Sequence, residues 1–92
     1  MNIFRPVLSD APLLRDAHKL YYGKYPKSGY YEEIIYISHN PIYITADEEH
    51  NITGYIASRV KPQSSTVYII ALAVFNESVQ TAIQLIKNVI AD

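Results

Sequence analysis

The sequence predicts a single α+β domain spanning residues 1–92, a mixed sheet with helices packed on it, in the order strand, helix, helix, strand, strand, strand, helix. The chain has 92 residues, 49% of them hydrophobic, which suits one small core, because a chain of this size buries about 60% of the surface its unfolded form exposes. Apolar residues recur at helical spacing over 11–22 and again over 79–90. Between 42 and 75 the pattern changes to alternation and then to one continuous apolar run, the signature of strands.

Ile3 to Pro6 reads as a short first strand, because Pro6 removes a ladder donor and confines the segment to an edge or a strand end. Asp10 stands where an N-cap belongs, and Pro12 is tolerated in the turn that follows. Leu13, Leu14, Ala17, Leu20 and Tyr21 then form the apolar face of a helix over 11–22. The stretch 21–31 combines glycines and a proline with Tyr21, Tyr22, Tyr25, Tyr30 and Tyr31, and reads as a basic, tyrosine-rich loop. A second short helix is predicted over 31–38, with Ile34 and Ile35 inward and Glu32 and Glu33 near its positive end. Asn40-Pro41 stops it.

Ile42 to Thr45 and Ile52 to Ala57 flank a polar Asp-Glu-Glu-His-Asn turn and read as a β-hairpin. After a polar connection over 61–65, Val67 to Phe75 is an uninterrupted apolar run, predicted to be a strand covered on both faces and the centre of the core. Asn76 or Ser78 can cap a final helix in which Val79, Ala82, Ile83, Ile86, Val89 and Ile90 recur at spacings of three and four.

Composition excludes several classes of function. No cysteine is present, so there is no disulfide framework, thiolate metal site or cysteine nucleophile. Basic residues gather in the first third (Arg5, Arg15, Lys19, Lys24, Lys27) and acidic ones later, but this split is too small for a nucleic-acid footprint. No apolar segment is long enough for a membrane span, and the N-terminus lacks the pattern of a secretory signal, so the cytoplasm is the expected compartment. Glu32, Glu33, Glu48 and Glu49 are the carboxylates to consider as a general base, yet adjacent members of each pair point in different directions and read as solvated charges. His18, His39 and His50 lack metal-ligand spacing, and no metal site is expected.

Three local sequences in this order resemble the opening of the GNAT acetyltransferase fold. Arg5-Pro6-Val7-Leu8-Ser9-Asp10 resembles the family's entry into its first helix, Asp47 to Ile56 its acidic hairpin turn and third strand, and Val67 to Val74 with the following helix its fourth strand and cofactor helix. The resemblance covers essentially the whole chain and implies the first part of that fold, ending after the cofactor helix. It also implies acetyl-CoA as the cofactor of an active member. The backbone of Leu72, Ala73 and Val74 would then meet the pantetheine arm, and Ser78 and Val79 the pyrophosphate at the helix N-terminus. The family's loop pattern is R/Q-x-x-G-x-G/A, where glycines let backbone amides approach the phosphates. Here Asn76 to Ala82 contains neither a glycine nor a basic residue, and Glu77 brings the wrong charge.

The resemblance with this departure implies a degenerate or incomplete acetyltransferase that acts by dimerisation or partner binding, with no catalytic residue assigned. The alternatives are an active small N-acetyltransferase moving an acetyl group from acetyl-CoA to an amine, and an unrelated α/β ligand-binding module. Tyr21, Tyr22, Tyr25, Tyr30 and Tyr31 are the candidate acceptor or partner surface, since tyrosine offers large contact area at low entropic cost. If Val67 to Phe75 forms the sheet edge it needs a cover, and a homodimer through that edge is expected, with another protein strand as the alternative.

Overall fold

The computed structural model describes residues 2–37, 40–61, 63, 66–75 and 78–91. The elements are β1 (Asn2–Phe4), α1 (Ala11–Tyr22), α2 (Tyr30–Tyr36), β2 (Ile42–Ala46), β3 (Ile52–Lys61), β4 (Thr66–Val74) and α3 (Val79–Ala91), with a 3-10 turn over Leu8–Asp10. This is the order predicted from sequence. The sheet order is β1-β2-β3-β4 and every neighbouring pair is antiparallel, which corrects the mixed sheet expected. A parallel pair needs a crossover, most often a single helix. Here β1 and β2 are joined through two helices in succession, and the later strands follow one another as neighbours. Among the described residues no helix is long and apolar enough to cross a membrane.

Asp10 precedes α1 as predicted, but its carboxylate turns back to accept from the Val7 N–H at 2.8 Å. Its backbone is already helical (φ −86°, ψ −6°), whereas a capping side chain reaches forward from an extended residue. Asp10 therefore closes the 3-10 turn. Ala11, Leu14 and Ala17 are the buried side of α1, while Leu13 and Leu20 are exposed. Gly23, at φ 84°, ends α1 in the left-handed conformation and donates its N–H to the Lys19 carbonyl at 2.8 Å. The second helix begins a residue earlier than predicted and ends at Tyr36; Ser38, its expected end, lies outside the described residues.

The sheet is covered on both faces. On one, α1 and α2 pack Leu14, Ala17, Tyr31 and Ile34 against Ile42, Ile44, Tyr55, Ala57, Ala71 and Ala73. The alanines leave room for two buried tyrosine rings, and each fully buried leucine or isoleucine contributes about 1.5–3 kcal/mol. On the other face, Leu85 and Val89 of α3 cover Ile56, with Ile3, Tyr43, Leu72, Val74 and Ile86 packed around them. Gly54 lets the layers close: a Cβ there would lie 2.9 Å from the Ala73 carbonyl oxygen, 3.1 Å from Thr45 Oγ1 and 3.3 Å from Thr81 Cγ2.

Two expectations about the core change. The central strand is β3, whose Gly54 to Ser58 are all buried; β4 ends the sheet, and Val67, Tyr68 and Ile69 are 43%, 44% and 48% exposed. A continuous apolar run fits a doubly covered strand, but no fifth strand stands beyond β4 among the described residues. The register slips between Ala57 and Ser58 of β3, so that Ile70 of β4 has no direct partner. In α3 the buried side is Thr81, Leu85 and Val89, whereas Val79 and Ile90 are 71% and 77% exposed and Ile83 is also exposed.

Candidate functional site

Six of the predicted site residues, Tyr21, Tyr22, Leu72, Val74, Ser78 and Val79, meet where the end of α1 approaches the edge of β4. Because Gly23 stops α1, Tyr21 and Tyr22 stand in its last turn. The Tyr22 hydroxyl donates to the Leu72 carbonyl at 3.1 Å and accepts from the Leu72 N–H at 3.2 Å. One side chain thus satisfies both edge-facing groups of one strand residue. Its ring rests on His18 with centroids 4.7 Å apart, and Tyr21 meets Phe75 edge-on at 5.7 Å.

Beside this contact a cleft of about 320 Å³ is lined by Tyr21, Leu72, Val74, Ser78, Val79 and Ala82. It brings together four of the five residues that the resemblance assigned to a cofactor. The fifth, Ala73, is fully buried on the opposite face. Ser78 precedes α3 and caps it, its Oγ accepting from the Thr81 N–H at 3.2 Å and its carbonyl from the Ala82 N–H at 3.2 Å. Asn76 and Glu77, the remainder of the expected cofactor loop, lie outside the described residues. A second cleft of about 360 Å³ lies across Ser78, lined by Ala46, Asp47, Glu48, Thr53, Gln80 and Thr81.

The five tyrosines expected to form one surface separate into three groups. Tyr21 and Tyr22 reach the β4 edge. Tyr25 lies exposed beneath the Arg15 guanidinium and Lys19 ammonium, 5.1 and 5.3 Å from its ring centre. Tyr30 is half-buried, and Tyr31 is 1% exposed and belongs to the core, so Tyr31 is not available to a partner. The reason is its place in the first turn of α2, one turn before Ile34, on the side facing the sheet.

Sequence reasoning missed a buried cluster. The Tyr31 hydroxyl lies 2.6 Å from His18 Nδ1 and 2.9 Å from the Tyr55 hydroxyl, and Tyr55 is fully buried. Burial pushes the Tyr55 hydroxyl up to about 12, with the Tyr31 hydrogen bond acting the other way. It raises Tyr31 further, helped by the Tyr55 hydrogen bond. Burial, and then the charge of Lys24, hold His18 below its usual range. Both tyrosines therefore stay protonated at neutral pH, and His18 stays neutral.

One proton order satisfies every member: Tyr55 donates to Tyr31, and Tyr31 donates to His18 Nδ1, whose proton sits on Nε2. The reverse order would leave the Tyr55 proton without an acceptor inside the core. His18 falls one helical turn after Leu14 on the inward side of α1, and that spacing is the signal that could have marked it.

The remaining candidates are dispersed. The Glu33 carboxylate pairs with Arg59 at 3.2 Å across an exposed surface, and Glu32 is exposed. Asp47 Oδ1 accepts from the backbone of Glu49 and Asn51, both at 2.9 Å, which builds the hairpin turn and leaves Glu48 and Glu49 exposed. His50 occupies that turn at φ 66°, and His39 lies outside the described residues. Among the described residues no group of histidine and acidic side chains could hold a metal ion.

Fold and site together define an α+β domain with an antiparallel sheet covered on both faces and open along one long edge. No family model matches the chain, and no curated protein matches it.

Proposed function

We propose that the chain is a GNAT-like domain that works by association, pairing the β4 edge with a second copy of itself. The observation that carries this reading is the edge: the terminal strand, Thr66–Val74, is uncharged, and Val67, Tyr68 and Ile69 stand exposed along it. Such an edge recruits other strands unless something covers it. The opposite edge cannot serve in the same way, because β1 is three residues long and Pro6 follows it closely. Further support comes from α3, where Val79, Ile83 and Ile90 extend apolar surface away from the cleft beside Leu72 and Val74.

The GNAT-like part of the reading rests on the three sequence resemblances and on the order of elements. Acetyl-CoA fits the residues poorly: Asn76 to Ala82 offers no basic group, and the Leu72 backbone is already engaged by Tyr22. An active N-acetyltransferase is the second reading, favoured by the cleft that Leu72, Val74, Ser78 and Val79 share.

Sedimentation and calorimetry separate the two. The association reading predicts a dimer at micromolar concentration, a monomer after Ile69→Lys, and no heat of binding with acetyl-CoA. A wild-type chain that stays monomeric yet binds acetyl-CoA at micromolar concentration would replace it with the second reading.

A further inference from the structure

Resting on the association reading above, we infer that the second copy pairs in one register, with Tyr68 on the two-fold axis and facing itself across the interface.

The register follows from which way the polar groups of β4 point. Ser58 and Val60 of β3 direct their N–H groups toward the β2 side: Ser58 donates to the Pro41 carbonyl at 3.0 Å and Val60 to Asn40 Oδ1 at 3.2 Å. Their partners in β4 are Ile69 and Val67. In an antiparallel pair, opposed residues either exchange both bonds or turn both pairs of groups outward. Ile69 and Val67 therefore point N–H and C=O at the open edge, and Tyr68, opposite Arg59, points its own toward β3.

The open edge is short. A regular partner strand needs outward groups at every second residue, and the bulge at Ile70 breaks that spacing. Beyond it, Tyr22 already holds both the N–H and the C=O of Leu72. With the axis at Tyr68, Val67 of each copy stands opposite Ile69 of the other, and both pairs can exchange two hydrogen bonds. An axis between two residues would set outward groups against inward ones. An axis at Ile69 would set Val67 against Ala71, which points inward beside the outward Leu72.

The occupant is a second copy because this segment also fits itself in charge. No charged side chain occurs in Thr66–Val74. On β3 behind it, Arg59 is paired with Glu33 at 3.2 Å, and the Lys61 ammonium rests on the ring of its own Tyr68, 5.1 Å from the centre. Tyr68 is 44% exposed in the single chain and has surface left to bury. Facing itself, it forms a pair of the non-hydrogen-bonded kind, with Cα atoms about 4.5 Å apart and the two side chains close together.

The chain has no cysteine, so single cysteines report the register. A disulfide needs Cβ atoms about 3.5–4.5 Å apart, which a directly opposed pair of this kind approaches. In this register Val67 and its own copy, or Ile69 and its own copy, are diagonal neighbours about 7–8 Å apart. Tyr68→Cys, Val67→Cys and Ile69→Cys are oxidised with glutathione disulfide, beside Leu20→Cys on the exposed side of α1 as the measure of random collision. We expect Tyr68→Cys to form the linked dimer several-fold faster than the other three. Tyr68→Lys and Tyr68→Glu are each expected to sediment as monomers alone and as a dimer when mixed, because like charges directly opposed disrupt pairing and opposite ones restore it. In a wild-type chain that dimerises, Tyr68→Cys crosslinking no faster than Val67→Cys or Ile69→Cys would overturn the register while leaving the association reading in place. So would a mixture of Tyr68→Lys and Tyr68→Glu that stays monomeric. A wild-type chain that stays monomeric at every concentration would overturn the association reading and the register with it.

Discussion

Replacing Tyr31 by phenylalanine removes one oxygen atom from the interior and, with it, the middle member of the Tyr55–Tyr31–His18 chain. Two losses follow. The bond to His18 Nδ1 at 2.6 Å disappears, at about 1 kcal/mol net. The Tyr55 hydroxyl, in a fully buried residue, loses its acceptor at 2.9 Å and keeps only Nδ1 at 3.5 Å, which adds about 1–2 kcal/mol of unmet hydrogen bonding. The sum is about 2–3 kcal/mol, or about 10–20 °C in Tm for a domain of this size.

Tyr55→Phe removes only a donor to Tyr31, whose own proton still reaches His18, and costs about 1 kcal/mol. The double variant leaves no orphaned hydroxyl, so it is expected to be no less stable than Tyr31→Phe alone, a clear departure from additivity. Urea unfolding followed by circular dichroism at pH 7.5, with m checked for constancy, measures all three. A Tyr55→Phe cost equal to or above that of Tyr31→Phe, or an additive double variant, would refute the proton order derived for this cluster.

Two further outcomes follow from the same geometry. Gly54→Ala places a Cβ 2.9 Å from a backbone carbonyl and 3.1 Å from Thr45 Oγ1, and overpacking of this kind costs about 1–3 kcal/mol; thermal unfolding is expected to register it as a lower Tm. His18 is held neutral in the fold, so the unfolded chain takes up its proton first as pH falls. Its stabilisation is then complete above its ordinary value of about 6.5 and declines as the pH drops through the lower folded value. The urea midpoint is expected to fall between pH 7.5 and 5, with a smaller decline in His18→Gln.

The element order was legible in the sequence because each segment carries a local pattern: helical spacing over 11–22, alternation over 42–57, and turn residues between them. Layering was less legible. Val67 to Phe75 is as apolar as a central strand, yet it lies at the edge, since hydrophobicity records that a strand needs covering and not what covers it. The same ambiguity placed Val79, Ile83 and Ile90 on the inward side of α3, where a helix carrying apolar residues on more than one face gives no single direction. Of the residues singled out from the sequence, Leu72, Val74, Ser78 and Val79 line one cleft and Tyr22 reaches the first of them. The Tyr31–Tyr55 contact joins residues far apart in the chain, from a helix and a strand, and no local pattern encodes that pairing.

Hydrogen exchange of the wild-type chain at low and at high protein concentration tests the proposed edge association most directly. The account predicts that the Val67 and Ile69 amides gain protection as concentration rises, in step with the rise in sedimenting mass. Unchanged exchange along β4 over a range in which the mass doubles, with new protection on another surface, would contradict it.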